Sequence, residues 1–222
     1  MKTAFICLAN SKKYGERCIA GIILEKNDKN RWREVRDENG FPKWVRPVSN
    51  ENHGEVKAKL VEHVALFDIV EIDVVKRTPK GYQSENAIFD LSSLQVIEKR
   101  PCIKRTLERL ITQTDEDLFG NKGKAITKEK INTIQNSLFF IRVQNPVCRF
   151  YPNKYQFRLE FDYNDVNYDL PITDIDFLKS RVQKEDEPIT LKEQIYICVS
   201  IGIEHKDWYY KLVAGIIHNF EE

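Results

Sequence analysis

Apolar residues along this chain come in short runs rich in Val, Ile and aromatics, separated by Gly, Pro, Asn and Lys. Runs of this length and composition predict strands. "AFICLA" (4–9) and "RCIAGIIL" (17–24) are the first two, with Asn10-Ser11-Lys12-Lys13 predicted at the turn of the hairpin they form. "KWVRPVS" (43–49) reads as extended, and Pro47 marks a strand end or edge. In "LFDIVEIDVV" (66–75), Phe67, Ile69, Glu71 and Asp73 share one face. Asp68, Val70, Ile72 and Val74 share the other, and the run Val70, Ile72, Val74 predicts that this second face meets the core.

The period changes in the middle. Leu107, Leu110 and Ile111 stand at i, i+3, i+4, one face of a helix, and Gly120 supplies a stop. Thr127 is placed to cap a second short helix. Strands then resume: "LFFIRVQ" (138–144), a hairpin in "CRFYPNKYQFRLEF" (148–161) turning at Pro152-Asn153, "VNYDLPITD" (166–174), "IYICVSIG" (195–202) and "WYYKLVAGII" (208–217). Each half offers about five strands without repeated βα units. The prediction is a mostly β fold: two small barrels or sandwiches in tandem, 1–98 and 138–222, joined by a helical connector, 99–137. "CIAGII" (18–23) and "LVAGII" (212–217) echo each other, yet they fall at different strands of their halves and establish no repeat.

Composition fits a globular chain: of 222 residues, 41% are hydrophobic, and 12 Phe, 9 Tyr and 3 Trp suffice for a core. Net charge is only +1, but its distribution is uneven. Residues 1–60 carry 13 Lys/Arg against 8 Asp/Glu, and residues 160–187 carry 9 Asp/Glu against 3 Lys/Arg. A basic front suits an anionic ligand. Five cysteines, odd in number and without CxxC, read as reduced thiols of a cytoplasmic protein. The four histidines lie far from any cysteine pair, so no metal or cofactor is expected. The apolar stretch after Met1-Lys2 is too short for a signal peptide, and no run reaches the roughly 20 residues of a spanning helix, so no membrane partner is expected. GxSxG and GxxxxGK[ST] are both missing from the chain, so no enzyme is expected.

Basic and aromatic residues interleave at "RWREVR" (31–36), at "FPKWVRP" (41–47) with Trp44 and Arg46, and at "CRFYPNKYQFR" (148–158) with Arg149, Tyr151 and Lys154. Such surfaces bind single strands: rings stack bases and cations track phosphates. Ordinary alternation, with aromatics inward and charges solvated, fits the same stretches. Arg46, between apolar neighbours, either grips a phosphate or pairs with Glu71 or Asp73. Asn10, Lys12, Lys13 and Arg17 either receive a phosphate or form a solvated hairpin end. Gln83 and Asn86, after the turn Thr78-Pro79-Lys80-Gly81, either read base edges or satisfy loop backbone. Asp115, Glu116 and Asp117 read as solvated acids, with metal binding as the alternative.

Several phrases together resemble the dual OB domain-containing family of bacterial proteins: "CLANSKKYGERCIAGI", "WVRPVS", "LFDIVEIDV", "QSEN" (83–86), "DLFG" (117–120), "ITD" (172–174), "CVSIG" (198–202) and "YYKLVAGII". The resemblance spans nearly the whole chain and is weakest in 99–137 and 175–194. It implies two OB-like barrels and a non-enzymatic nucleic-acid-binding accessory to an anti-phage or genome-conflict system. It also adds weight to Asn10 and Lys12. The expected partners are single-stranded DNA or RNA and a protein within a larger complex. Two other readings stand beside it: an adaptor docking a partner enzyme, and a nucleotide sensor holding a phosphate with Arg46 and Lys12.

Overall fold

The computed structural model describes residues 1–50, 53–112, 117–181 and 189–221. β1 (Lys2–Lys13) and β2 (Glu16–Lys26) form the opening hairpin. Its turn is Tyr14-Gly15, with φ of +48° and +83°. Two positive φ values in a two-residue loop match the right-handed twist of the flanking strands. Asn10 to Lys13 therefore lie inside β1, not at the turn as the sequence suggested. The strand continues because Ser11, Lys12 and Lys13 pair with Cys18, Arg17 and Glu16.

After β3 (Trp32–Glu34), which extends the far end of β2, come β4 (Trp44–Val48), α1 (Ala58–Val61), β5 (Ile69–Arg77), β6 (Asn86–Phe89) and β7 (Gln95–Glu98). β1 pairs with β2, β2 with β4, β4 runs parallel to β6, β6 pairs with β5, and β5 returns to β1. Five strands thus close into a barrel. Pro47 stands past the two residues of β4 that pair with β2, where its missing N–H costs no ladder bond. Val70, Ile72 and Val74 fill the barrel with Phe5 and Cys7, the face the alternation predicted.

The second half repeats the order. α2 (Lys104–Leu110), β8 (Ala125–Thr127) and α3 (Lys128–Ile131) precede β9 (Leu138–Tyr151), β10 (Gln156–Tyr163), β11 (Val166–Pro171), α4 (Ile175–Lys179), β12 (Ile189–Thr190), β13 (Gln194–His205) and β14 (Trp208–Ile217). β11, β10, β9, β13 and β14 form one curled sheet. A single parallel bridge, Ile172 to Val213, brings its two ends together, and the Thr173 N–H donates to the Val213 carbonyl at 2.8 Å. In both halves the third strand lies parallel to the fifth, and a short helix follows the third. This is the OB arrangement, twice.

Two sequence expectations need correction in the connector. The first helix stops at Leu110, well before Gly120. The later connector also belongs to the second barrel: Leu118, Phe119, Ile126 and Ile131 pack into its core, and β8 pairs with β14. Asp115, Glu116 and residues 182–187 of the acidic segment lie outside the described residues.

The barrels share a seam. β1 is apolar on both faces because both are buried: Phe5 and Cys7 point into the first barrel, and Ala4, Ile6 and Leu8 out toward the second. There they meet Phe140, Tyr196, Cys198 and Ala214, with Leu107 and Leu110 of α2 beside them. Burying Ile6 or Leu8 in this way contributes about 1.5–3 kcal/mol each. Asp174, which caps α4, accepts from the Asp176, Phe177 and Ile216 N–H groups at 3.0, 3.1 and 2.7 Å. Burial pushes its carboxyl up to about 6. The Lys12 N–H donates to the Thr173 carbonyl at 2.8 Å, so both barrels grip the end of β1.

Candidate nucleic-acid interface

The loop joining β5 to β6, residues 78–85, is built as a fixed divider. Gly81 has φ of +55°, and Lys80 and Gln83 exchange backbone hydrogen bonds of 3.2 and 3.0 Å. The Tyr82 hydroxyl donates to the Gly202 carbonyl at 2.8 Å, and its ring meets Tyr209 edge-on at 5.3 Å. The Ser84 hydroxyl donates to Asn136 at 3.0 Å. Beneath the loop, Arg46 pairs with Glu85 at 2.9 Å and donates to the Ser137 hydroxyl at 2.7 Å; Ser137 in turn donates to Glu85. The loop is thereby anchored to the second barrel on one side and to the connector on the other.

A cleft opens on each side of it. The first, of about 760 Å³, is walled by Phe41, Lys43, Trp44, Arg77, Pro79, Leu138 and Phe139 among others. The second, of about 460 Å³, is lined by Lys13, His53, Lys80, Tyr82, Gln83 and Asn86, and across from them by Ile203, Glu204 and Tyr209. Both volumes fall in the range of ligand sites. At the first cleft Phe41 is 51% exposed. At the second, Tyr14 is 59% exposed and stacks on His53 with ring centroids 4.2 Å apart. Hydrophobic rings this open offer faces for bases.

The charges around the loop are uneven. Among the described residues, Lys13, Lys43, Arg77 and Lys80 form no ion pair. Burial, aided by Arg46 and Lys80, lowers the Lys13 pKa. The acid facing the second cleft is already engaged: Glu204 accepts from Lys128 at 3.0 Å and from the Tyr209 hydroxyl at 2.9 Å.

The structure sorts the residues singled out from sequence. Lys13, Gln83 and Asn86 come together at the second cleft, with Lys12 exposed nearby on the same hairpin. Arg17 is half-buried, and its backbone bridges Val56. Four expected contacts are structural instead. Asn10 is buried and donates to the Val64 carbonyl at 2.8 Å. Arg46 is buried against Glu85, neither of the acids considered for it. Trp44 packs into the seam and shows little of its ring to the first cleft. The Asn86 side chain, at the wall of the second cleft, is 8% exposed and donates to Gln83 at 3.2 Å. Arg149, Tyr151 and Lys154 line neither cleft; they lie at the β9–β10 hairpin, where Arg149 pairs with Glu160 at 2.9 Å. Sequence reading missed Tyr14, His53 and Arg77, and held Phe41 within "FPKWVRP" without singling it out. Its nearest signal was the Pro-Lys-Gly turn after β5, which marks the divider loop.

A family model for the dual OB-containing domain matches residues 3–216. The chain belongs to that family. In OB barrels ligands lie over the second and third strands and the loops joining strands one to two and four to five. In the first barrel of this dual OB chain those loops are the Tyr14-Gly15 turn and residues 78–85, which border the second cleft. No curated protein matches the chain. Among the solved structures that resemble it are the following two. One, described as "Molecular basis for abrogation of activation of pro-inflammatory cytokines", is 8% identical over 96% of this chain and 88% of that one, with a TM-score of 0.32. The other, a deletion mutant of the single-stranded DNA binding protein from Thermus aquaticus, is 9% identical over 100% of this chain and 94% of that one, with a TM-score of 0.22. At these scores neither likeness bears on function. Among the described residues no helix is long and apolar enough to cross a membrane.

Proposed function

We propose that the protein binds single-stranded nucleic acid along the two clefts beside the 78–85 loop. The observation that carries this reading is the set of four cations without ion pairs, Lys13, Lys43, Arg77 and Lys80, beside the open rings of Tyr14 and Phe41. Unpaired cations give affinity by releasing counterions from phosphates, and each stacked base adds about 1–3 kcal/mol. On this reading the role is binding, and three of the five thiols offer no nucleophile. Burial holds the Cys102 and Cys148 thiols near 11 and Cys7 higher still, which leaves those three protonated at neutral pH and poor nucleophiles.

Fluorescence anisotropy with short single-stranded DNA and RNA tests the reading. Binding is expected at low salt, weakening steeply as salt rises. Arg77→Glu with Lys43→Glu is expected to weaken it about tenfold, about 1.4 kcal/mol. No binding of either strand at low salt overturns the proposal. An accessory role in a bacterial defence system accompanies this reading and draws on the sequence resemblance. It predicts a stoichiometric partner that co-purifies through nuclease treatment.

A further inference from the structure

Glu85 and Asn86 stand where the divider loop becomes β6. Successive side chains on a strand leave on opposite sides, and here Glu85 lines the first cleft and Asn86 the second. Their backbone is fixed: the Arg46 N–H donates to the Glu85 carbonyl and the Thr78 N–H to the Asn86 carbonyl, both at 2.9 Å. The two residues are 4% and 8% exposed. Each side chain is bonded through one atom only. Glu85 uses Oε1 for Arg46 and Ser137, and Asn86 uses Nδ2 for Gln83. Glu85 Oε2 and Asn86 Oδ1 are buried and accept no hydrogen bond. Each cleft thus has at its wall an acceptor without a donor.

We propose that these two acceptors select among the bases of the bound strand, favouring those with an exocyclic amino group (adenine, cytosine and guanine) over uracil and thymine. The inference rests on the strand-binding reading above and adds a base preference to it. A buried acceptor without a donor is costly, and a ligand that supplies the donor removes that cost. Phosphate oxygens are acceptors and cannot supply it, and the Glu85 carboxylate repels them. A metal cation is disfavoured by Lys43 and Arg77 at the first cleft and by Lys13 and Lys80 at the second. Between the ends of a DNA strand, all the N–H donors are on the bases. Adenine N6, cytosine N4 and guanine N2 each carry two N–H groups. Uracil and thymine have a single N–H, set between two carbonyl oxygens, so an acceptor that takes it also meets a carbonyl lone pair. A site that hydrogen-bonds a group rejects the analogue that lacks it. The Trp44 Nε1–H, at the wall of the first cleft, is also without a partner. A ring nitrogen or a carbonyl oxygen serves it equally, so it does not choose between these bases.

Oligodeoxycytidine and oligodeoxyuridine of equal length test the inference by fluorescence anisotropy at low salt. They share sugar, charge and ring size, and differ in an amino group against a carbonyl oxygen at C4. The cytidine strand is expected to bind about tenfold more tightly. Asn86→Leu removes the acceptor at the second cleft and is expected to lower that ratio to about threefold, half the effect in free energy. Arg46→Met with Glu85→Leu removes the acceptor at the first cleft without leaving the guanidinium unpaired, and should act alike. Circular dichroism matching the parent qualifies each variant. Equal binding of the two strands by the parent overturns base selection while strand binding stands. A tenfold ratio that survives in the qualified variants overturns the assignment to these two residues. If neither strand binds, both readings fall together.

Discussion

Gly215 of β14 lies against the backbone of Leu8 in β1, so that a methyl group added to Gly215 would stand 2.1 Å from the Leu8 carbonyl oxygen. Gly21 of β2 makes the matching approach from within the first barrel, where an added methyl would stand 1.9 Å from the Ile6 carbonyl oxygen. The two Ala-Gly phrases that echo in the sequence thus have one cause: each lets a strand come close to β1. Gly215→Ala is expected to destabilise the fold by about 3 kcal/mol or more, because backbone must shift. Urea unfolding with two probes, one in each barrel, checks it; a change below about 1 kcal/mol would show that the seam yields easily.

The Arg46–Glu85 pair is buried on both sides, with Ser137 as its third member. Glu85→Ala leaves the guanidinium uncompensated and is expected to cost about 3–5 kcal/mol. Replacing both residues with apolar ones, Arg46→Met with Glu85→Leu, should cost far less than the single change. The comparison of denaturation midpoints decides between a pair that stabilises and one that mainly fixes the loop's position.

Lys211 is buried, donates to the Asn121 carbonyl and lies 5.1 Å over the Tyr168 ring. Burial, with Lys130 adding to it and Asp117 opposing, lowers its pKa from 10.5 to about 7. Between those two values the unfolded chain binds the extra proton, so stability rises with pH across that window. Lys211→Met is expected to flatten this rise. Thermal unfolding of both proteins from pH 7 to pH 10 measures it, and parallel curves would exclude the lysine as the source.

Asp174→Ala removes two cap bonds from α4 and strands the Ile216 N–H in the seam. The expected loss is about 2–3 kcal/mol. Hydrogen exchange at Ile216 should speed up more than exchange in β5. Equal acceleration everywhere would indicate a global effect with no special loss at the seam.

The strands were legible because their apolar runs are short and β-branched, and the alternation in β5 located its inward face. The same pattern could not show that Ile69, on the outward face, is buried as well, in the seam. Burial on two faces by two barrels is a tertiary fact. For the same reason, Trp44 and Arg46 looked like ligand-binding residues: a basic-aromatic stretch reads alike on a surface and in a seam. Lys13 and Gln83 were legible as polar residues beside turns. Arg77 gave no signal, since its place at the first cleft comes from where the 78–85 loop is anchored.

The two-sided burial of β1 also bears on how the chain matures. β1 leaves the ribosome nearly 200 residues ahead of β14, the strand that covers its outer face. The first barrel can close on its own ring of strands well before then. Until β14 arrives, that barrel carries Ala4, Ile6 and Leu8 as a bare greasy stripe. A nascent chain in this state is exposed to self-association, and slowing translation between β1 and β14 prolongs the exposure.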